Sequence, residues 1–148
     1  MSYAWRLASS RYDPLTGEGA RLVGGRWNSP RFAMVYASES LALCLAESLV
    51  HVPGVLPADY ISFKLELPDE TIEIVNRTTL KADWTADIGY TRAIGDQWIQ
   101  QARTVALAVP SAVLIDSTNI LINPNHRDAR LVRVTDRQSF TFDPRLRP

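Results

Sequence analysis

The sequence predicts an α+β domain with a mixed central sheet and a few helices. Strand-like runs are scattered along the chain, with Ile61, Phe63, Leu65 and Leu67 alternating against Ser62, Lys64 and Glu66 as the clearest case. Only two stretches, residues 39–51 and about 91–103, carry a helical pattern. They do not alternate with the strands as a doubly wound sheet requires.

The elements follow in order. Tyr3, Trp5 and Leu7 alternate with smaller or polar neighbours and open the chain as a strand. Residues 13–33 hold four glycines and two prolines with little periodicity, which predicts a long loop, and such loops are often functional. Met34 to Ala37 is a short β-prone run. Ser38 is a candidate N-cap, and the helix over 39–51 stops at Val52-Pro53-Gly54. Thr71–Val75, Val105–Val109, Ala112–Ile115, Leu131–Val134 and Phe140–Phe142 read as further strands, and Trp98 marks the buried face of the second helix. No repeat, low-complexity tract or linker interrupts residues 1–148, which therefore read as one domain.

At this length a domain buries roughly 68–70% of its unfolded surface, so a core forms without staples. Hydrophobic residues make up 46% and charged residues 22%, a globular composition. Sixteen basic residues balance sixteen acidic ones, which leaves no electrostatic footprint for nucleic acid. Cys44 is the single cysteine, in keeping with a reducing cytosol, and it reads as a small buried hydrophobe or as a redox point beside Glu47. The start of the chain has no signal-peptide pattern, and the longest apolar run, Leu41 to Val52, is too short for a membrane span. The expectation is a cytoplasmic protein.

The chemistry concentrates in Gly24-Gly25-Arg26-Trp27-Asn28, Tyr36 and Glu47. Two glycines let the backbone turn tightly or lie against a ligand. A guanidinium on such a turn grips a phosphate or carboxylate through two parallel hydrogen bonds. On a helical wheel Leu41, Leu45, Leu49 and Val52 form one stripe, with Cys44, Glu47, Ser48 and His51 opposite. Glu47 and His51 are then either a solvated i, i+4 pair or the lining of a cleft. The two histidines, His51 and His126, lie far apart beside one cysteine, so no metal site is expected. Neither a nucleophile elbow nor a phosphate-binding glycine loop occurs.

Taken together, the ordered motifs resemble the RES-domain toxins of bacterial toxin–antitoxin pairs. The matching stretches are Trp5-Arg6, Gly17-Glu18-Gly19-Ala20, Gly24 to Asn28, Val35 to Ser40, Leu45 to His51, Val109 to Val113, Asn119 to Pro124 with His126, and Phe142 to Leu146. One departure is Arg31-Phe32, where the family pattern has a glycine after Ser29-Pro30.

The resemblance implies a fold similar to the ADP-ribosyltransferases and an enzyme that consumes NAD as substrate, without a metal. The family's Arg, Glu and Ser would be Arg26, Glu47 and Ser111. Arg26 would hold the pyrophosphate, Tyr36 would stack on nicotinamide, Glu47 would stabilise the developing ribosyl cation, and Ser111 would orient Glu47 or the ribose. Gly25, Trp27, Asn28 and Asn119 are expected at the substrate. The implied reaction cleaves the nicotinamide–ribose bond and depletes NAD; ADP-ribosylation of a target protein and a non-catalytic nucleotide-binding module are the alternatives. The implied partner is an antitoxin with an Xre-type helix-turn-helix, in an oligomeric complex, to which DNA binding is delegated.

Overall fold

The alternation at Tyr3, Trp5 and Leu7 becomes the first strand, β1 (Ser2–Ser9), in the computed structural model, which describes residues 1–147. It is followed by α1 (Glu18–Val23), β2 (Val35–Ser38), α2 (Leu41–His51), β3 (Tyr60–Leu67) and β4 (Ile72–Ile74). The chain then forms α3 (Ile88–Gln101), β5 (Ala106–Pro110), β6 (Thr118–Ile122) and β7 (Arg133–Ser139). The strands make one sheet in the order β4-β5-β6-β2-β1-β3-β7. The β4–β5 pair is parallel and the other neighbours are antiparallel, so the sheet is mixed and the class α+β, as the sequence predicts.

Register decides where this sheet is tight and where it opens. β1 pairs with β3 along its whole length, from Ser2↔Leu67 to Ser9↔Tyr60. With β2 it shares only Trp5↔Ser38. The sheet therefore parts between β1 and β2. Its two faces are covered separately. Ala4, Val35, Ala37, Phe63, Leu65 and Ile122 belong to one core, and Trp27, Met34, Trp84, Trp98, Leu107 and Leu121 to the other. β5 and β6 are buried on both faces, which explains their unbroken apolar runs.

Several expectations need correction. Residues 13–33 are not all loop: α1 forms within them, between Gly17 in the left-handed region (φ 67°) and Gly24 (φ 77°). There are thus three α-helices among the described residues. α2 starts after Ser40, whose hydroxyl accepts from Leu43 N at 3.1 Å, rather than after Ser38. Its most buried residues are Leu43 and Cys44, while Leu41, Leu45 and Leu49 are only partly buried. The polar side of the wheel is thus as covered as the leucine side up to Ser48, and only His51 at its end is exposed. α3 begins at Ile88 because Asp87 caps it, accepting from Tyr90 N at 3.0 Å.

Ala112–Ile115 is a turn, and the strand follows it as β6, where an asparagine had masked the pattern. Phe140–Phe142 is not a strand either; its rings cluster, with Phe142 5.5 Å from Tyr60 and 5.0 Å from Phe140. Leu131 ends a 3-10 turn, and β7 extends to Ser139 as an edge strand exposed throughout, without the apolar alternation that would announce it.

Arg31, which stands where the family pattern has glycine, adopts φ 87°. Its N–H donates to Arg21 O at 2.7 Å, which pins the turn. The backbone there adopts the left-handed conformation that favours glycine. A left-handed backbone costs an L-residue about 1–2 kcal/mol, and glycine returns roughly 0.4–1 kcal/mol of that through unfolded-chain entropy. Arg31→Gly is therefore expected to be at least as stable as the parent, read as the urea midpoint at constant slope. A lower midpoint would show that the Arg31 side chain holds the turn.

Candidate active site

The glycine-arginine segment folds as a tight hairpin. Gly25 and Asn28 form a bridge, with Gly25 N donating to Asn28 O at 3.0 Å. Tyr36 from β2 anchors it: its Oη accepts from Trp27 N (3.0 Å) and donates to Asn28 Oδ1 (2.6 Å). A Cβ on Gly25 would lie 2.5 Å from Tyr36 Oη, so only glycine admits the ring. Asn28 is fully buried and its amide donates to the carbonyls of Ala20, Ser29 and Phe32. Trp27 is also buried, its ring 5.9 Å from Trp84. Both residues build the turn that presents Arg26.

α3 grips the same hairpin from outside. Thr91 Oγ1 donates to Arg26 O (2.5 Å), Arg92 Nε donates to Gly25 O (2.8 Å), and Asp96 accepts from Ser29 N (2.8 Å). Gly95 lets the helix sit on the Trp27 backbone; a Cβ there would fall 1.7 Å from Trp27 O. Among the described residues Arg26 donates one bond, to Thr85 O at 3.0 Å, and has no carboxylate partner.

Glu47 lies across the cleft on α2. Its Oε1 accepts from Ser111 Oγ and from Asn119 Nδ2, both at 2.8 Å. Ser111 Oγ also accepts from the backbone N–H groups of Val113 and Leu114, at 3.0 and 3.1 Å, so its own hydrogen is directed at Glu47. Asn119 Oδ1 pairs with Ser38 Oγ at 2.7 Å, which fixes the amide. Oε2 is left facing the cleft, with His51 Nε2 3.5 Å away. Burial pushes the Glu47 carboxyl up, but the bonds from His51, Asn119 and Ser111 outweigh it and hold the pKa below the ordinary 4.5. Glu47 is an anion at neutral pH. Both wheel readings hold in part: Glu47 and His51 form the i, i+4 pair, and both line the cleft.

Between these walls is a cleft of about 610 Å³, within the range of small-molecule sites. Arg26, Tyr36, Glu47, His51 and Asn119 line it, whereas Ser111 stands behind Glu47. Burial raises the Tyr36 phenol far above its usual value, so the ring is neutral.

A second arginine was not singled out from the sequence. Arg6 bridges the parted strands, with Nη1 donating to Tyr36 O at 2.8 Å. Its Nε is buried with no hydrogen-bond partner, the one such side-chain atom among the described residues. Burial lowers its pKa, against the charges of Cys44 and Tyr60, yet a guanidinium stays protonated. A cation lining a cleft without a counter-ion is a ready anion site. Nothing in the alternation marked it, because Arg6 shares a side with Ala4 and Ala8, opposite the larger apolar Tyr3, Trp5 and Leu7. Cys44 donates to Trp5 O at 2.8 Å, and burial pushes its thiol up to about 11, so it packs as a hydrophobe rather than acting as a reactive thiol.

The arrangement therefore pairs two arginines with an ionised carboxylate across an apolar-walled cleft, a geometry suited to an anionic substrate that develops positive charge at a carbon. Among the described residues no group of three or more His, Cys, Asp or Glu side chains is placed to hold a metal ion, and no helix is long and apolar enough to cross a membrane.

Comparison with known proteins agrees on the fold. The chain is 38% identical over 152 residues to a Prs ADP-ribosylating toxin of a Sphingobium species, covering 96% of this chain and 94% of the relative. It is 28% identical over 102 residues to the NAD(+) phosphorylase MbcT of Mycobacterium tuberculosis, covering 64% and 54% respectively. A crystal structure of the M. tuberculosis MbcT–MbcA toxin–antitoxin complex superposes with a TM-score of 0.78 at 20% identity, over 98% of this chain and 86% of that one. The RES domain model matches residues 3–143, and the chain belongs to the RES-domain family.

Proposed function

We propose that this chain is the toxin of a toxin–antitoxin pair and that it breaks the bond between nicotinamide and ribose in NAD. The observation that supports this best is the Glu47 carboxylate, held ionised with Oε1 saturated and Oε2 open to a cleft that carries Arg6 and Arg26. The names of the relatives point the same way: one is an ADP-ribosylating toxin and another an NAD phosphorylase.

In this reading the two guanidiniums take the pyrophosphate and hold the dinucleotide bent. Burying the phosphates satisfies Arg6 Nε, which otherwise has no partner. The Tyr36 ring, whose hydroxyl is engaged by the hairpin, offers a face to the cationic nicotinamide. Glu47 Oε2 accepts from a ribose hydroxyl and stabilises the cation that grows at the anomeric carbon. The C–N bond breaks with its electron pair going to nicotinamide, which leaves neutral, and an acceptor oxygen or nitrogen forms the new bond to the anomeric carbon and gives up its proton to solvent. Ser111 and Asn119 act through Glu47 as positioning residues.

Water or phosphate as acceptor gives depletion of NAD; a protein side chain gives ADP-ribosylation. Similarity to an ADP-ribosylating toxin over nearly the whole chain favours the second acceptor as the alternative. Transfer of label from NAD to a discrete band in lysate would separate them. The proposed partner is an antitoxin of Xre type that covers the cleft.

Nicotinamide release from NAD by the purified chain, freed of any partner, is the decisive assay. Glu47→Gln keeps the size but loses the charge, and kcat is expected to fall by about 10²–10³. Full activity in that variant would remove Glu47 from the mechanism. Arg26→Lys loses the two-pronged grip and is expected to raise KM for NAD by roughly tenfold with a smaller change in kcat. For pH, the sign follows from a depressed carboxylate: Glu47 is competent above its folded pKa, so the acid limb of kcat/KM is expected below pH 4.5. In Ser111→Ala one donor is lost and that limb moves up; an unmoved limb would assign it to another group.

A further inference from the structure

Both partners of Glu47 Oε1 sit at the ends of one loop, Ser111 before it and Asn119 after it. Inside the loop Ser111 N donates to Ser117 O and Ser117 N donates to Leu114 O, each at 2.9 Å. The β5–β6 ladder holds the two ends, with Pro110 opposite Thr118 and Val109 opposite Asn119, and these bonds close the turn between them. Two outside residues then brace the turn itself. Glu39, directly before the cap of α2, accepts from Thr118 N (3.0 Å) while its own N–H donates to Thr118 O (3.1 Å). Arg77 approaches from the segment after β4, where Asn76 caps a 3-10 turn by accepting from Thr78 N. Its Nη1 donates to Ile115 O, and its Nη2 to Ser117 O (3.2 Å) and Thr118 Oγ1 (2.9 Å).

Arg77 does not line the cleft, pairs with no carboxylate among the described residues and is exposed. It nevertheless neutralises a knot of carbonyls that the tight turn directs outward, and its planar fork spans three acceptors that a lysine would not hold together. We propose that Arg77 is a positioning residue for the NAD-cleaving site: its fork sets the turn that follows Ser111 so that Ser111 Oγ meets Glu47 Oε1 beside the amide of Asn119, which Ser38 and the sheet hold. The inference rests on the proposed function only for its kinetic consequence. The geometric claim concerns the free chain.

The donors on Oε1 oppose the effect of burial on Glu47, so a loop that drifts leaves a half-buried carboxylate with weaker partners, and its pKa rises. The other titratable or charged groups facing this cleft are His51 on α2, Cys44 one turn earlier, Arg6 and Tyr60 from the β1–β3 side, and Arg26 and Tyr36 from the hairpin side. None of them touches Arg77, so a change at residue 77 reaches Glu47 through the loop.

The test is carbon NMR of the glutamate carboxyls in the free chain, with Glu47 assigned by its loss in Glu47→Gln. In a folded Arg77→Gln chain the Glu47 midpoint is expected to rise above that of the wild type. In the nicotinamide assay kcat is expected to fall about tenfold, short of the roughly hundredfold that a misplacement of about 1 Å can cost, with KM for NAD little changed. An unchanged midpoint in the folded variant overturns the proposal, as does a loss seen only in KM. Should Arg77→Gln fail to fold, Thr118→Val, which removes one acceptor of the fork, is read in the same way. The titration needs no turnover. A wild-type chain that releases no nicotinamide would therefore sink the functional reading while the clamp is still decided by NMR.

Discussion

Strands held by a full ladder leave no room for a ligand between them, and the ladder of this sheet is thinnest at the single register pair, Trp5↔Ser38, that joins β1 to β2. Where the ladder stops, Arg6 reaches over to the carbonyl of Tyr36 and takes the place of the missing backbone bonds. The cleft, its cationic wall and the approach of α2 all depend on that substitution of a side chain for a ladder. The β1–β3 pairing, unbroken over eight residues of each strand, supplies the rigidity against which the gap is held open.

That solution is costly. A buried guanidinium nitrogen without a partner costs the fold about 1–3 kcal/mol, and it remains because the fold around it is over-determined. The hairpin that carries Arg26 shows how: Tyr36, Asn28, Thr91, Arg92 and Asp96 all bind its backbone, and two glycines are needed only to let these groups approach. Rigidity is concentrated in the residues around the cleft wall, while the groups that face the cavity keep free valences.

Much of this was legible in the sequence, for physical reasons that differ by residue. Gly25 and Arg26 announced a special turn because a glycine pair before an arginine has few other uses. Glu47 stood out as the one acid in an apolar run. Its donors could be named only through the family resemblance, which gave Ser111 the role of orienting Glu47 or the ribose and placed Asn119 at the substrate; they lie 64 and 72 residues away, and no local pattern encodes such a meeting. The wheel separated the two sides of α2 but left the setting of Glu47 and His51 open, because it could not show that a cysteine and an acid would find polar partners on the sheet side. Arg6 was hidden by the ordinary rule that polar residues in an alternating strand face water. β7 was mis-bounded because an edge strand built of Arg133, Thr135, Asp136 and Arg137 has no apolar face to read.

The contact between Gly95 and the Trp27 carbonyl has a consequence for how this chain can vary. Every single-nucleotide change of a glycine codon that yields another amino acid adds a side chain, and any side chain here must push the hairpin away from α3. Such a push displaces Arg26, because the same helix holds its carbonyl through Thr91. Residue 95, in the interior of α3, is thus tied to the cleft. Lineages can change the surface of α3 readily, but residue 95 changes only together with the turn beneath it.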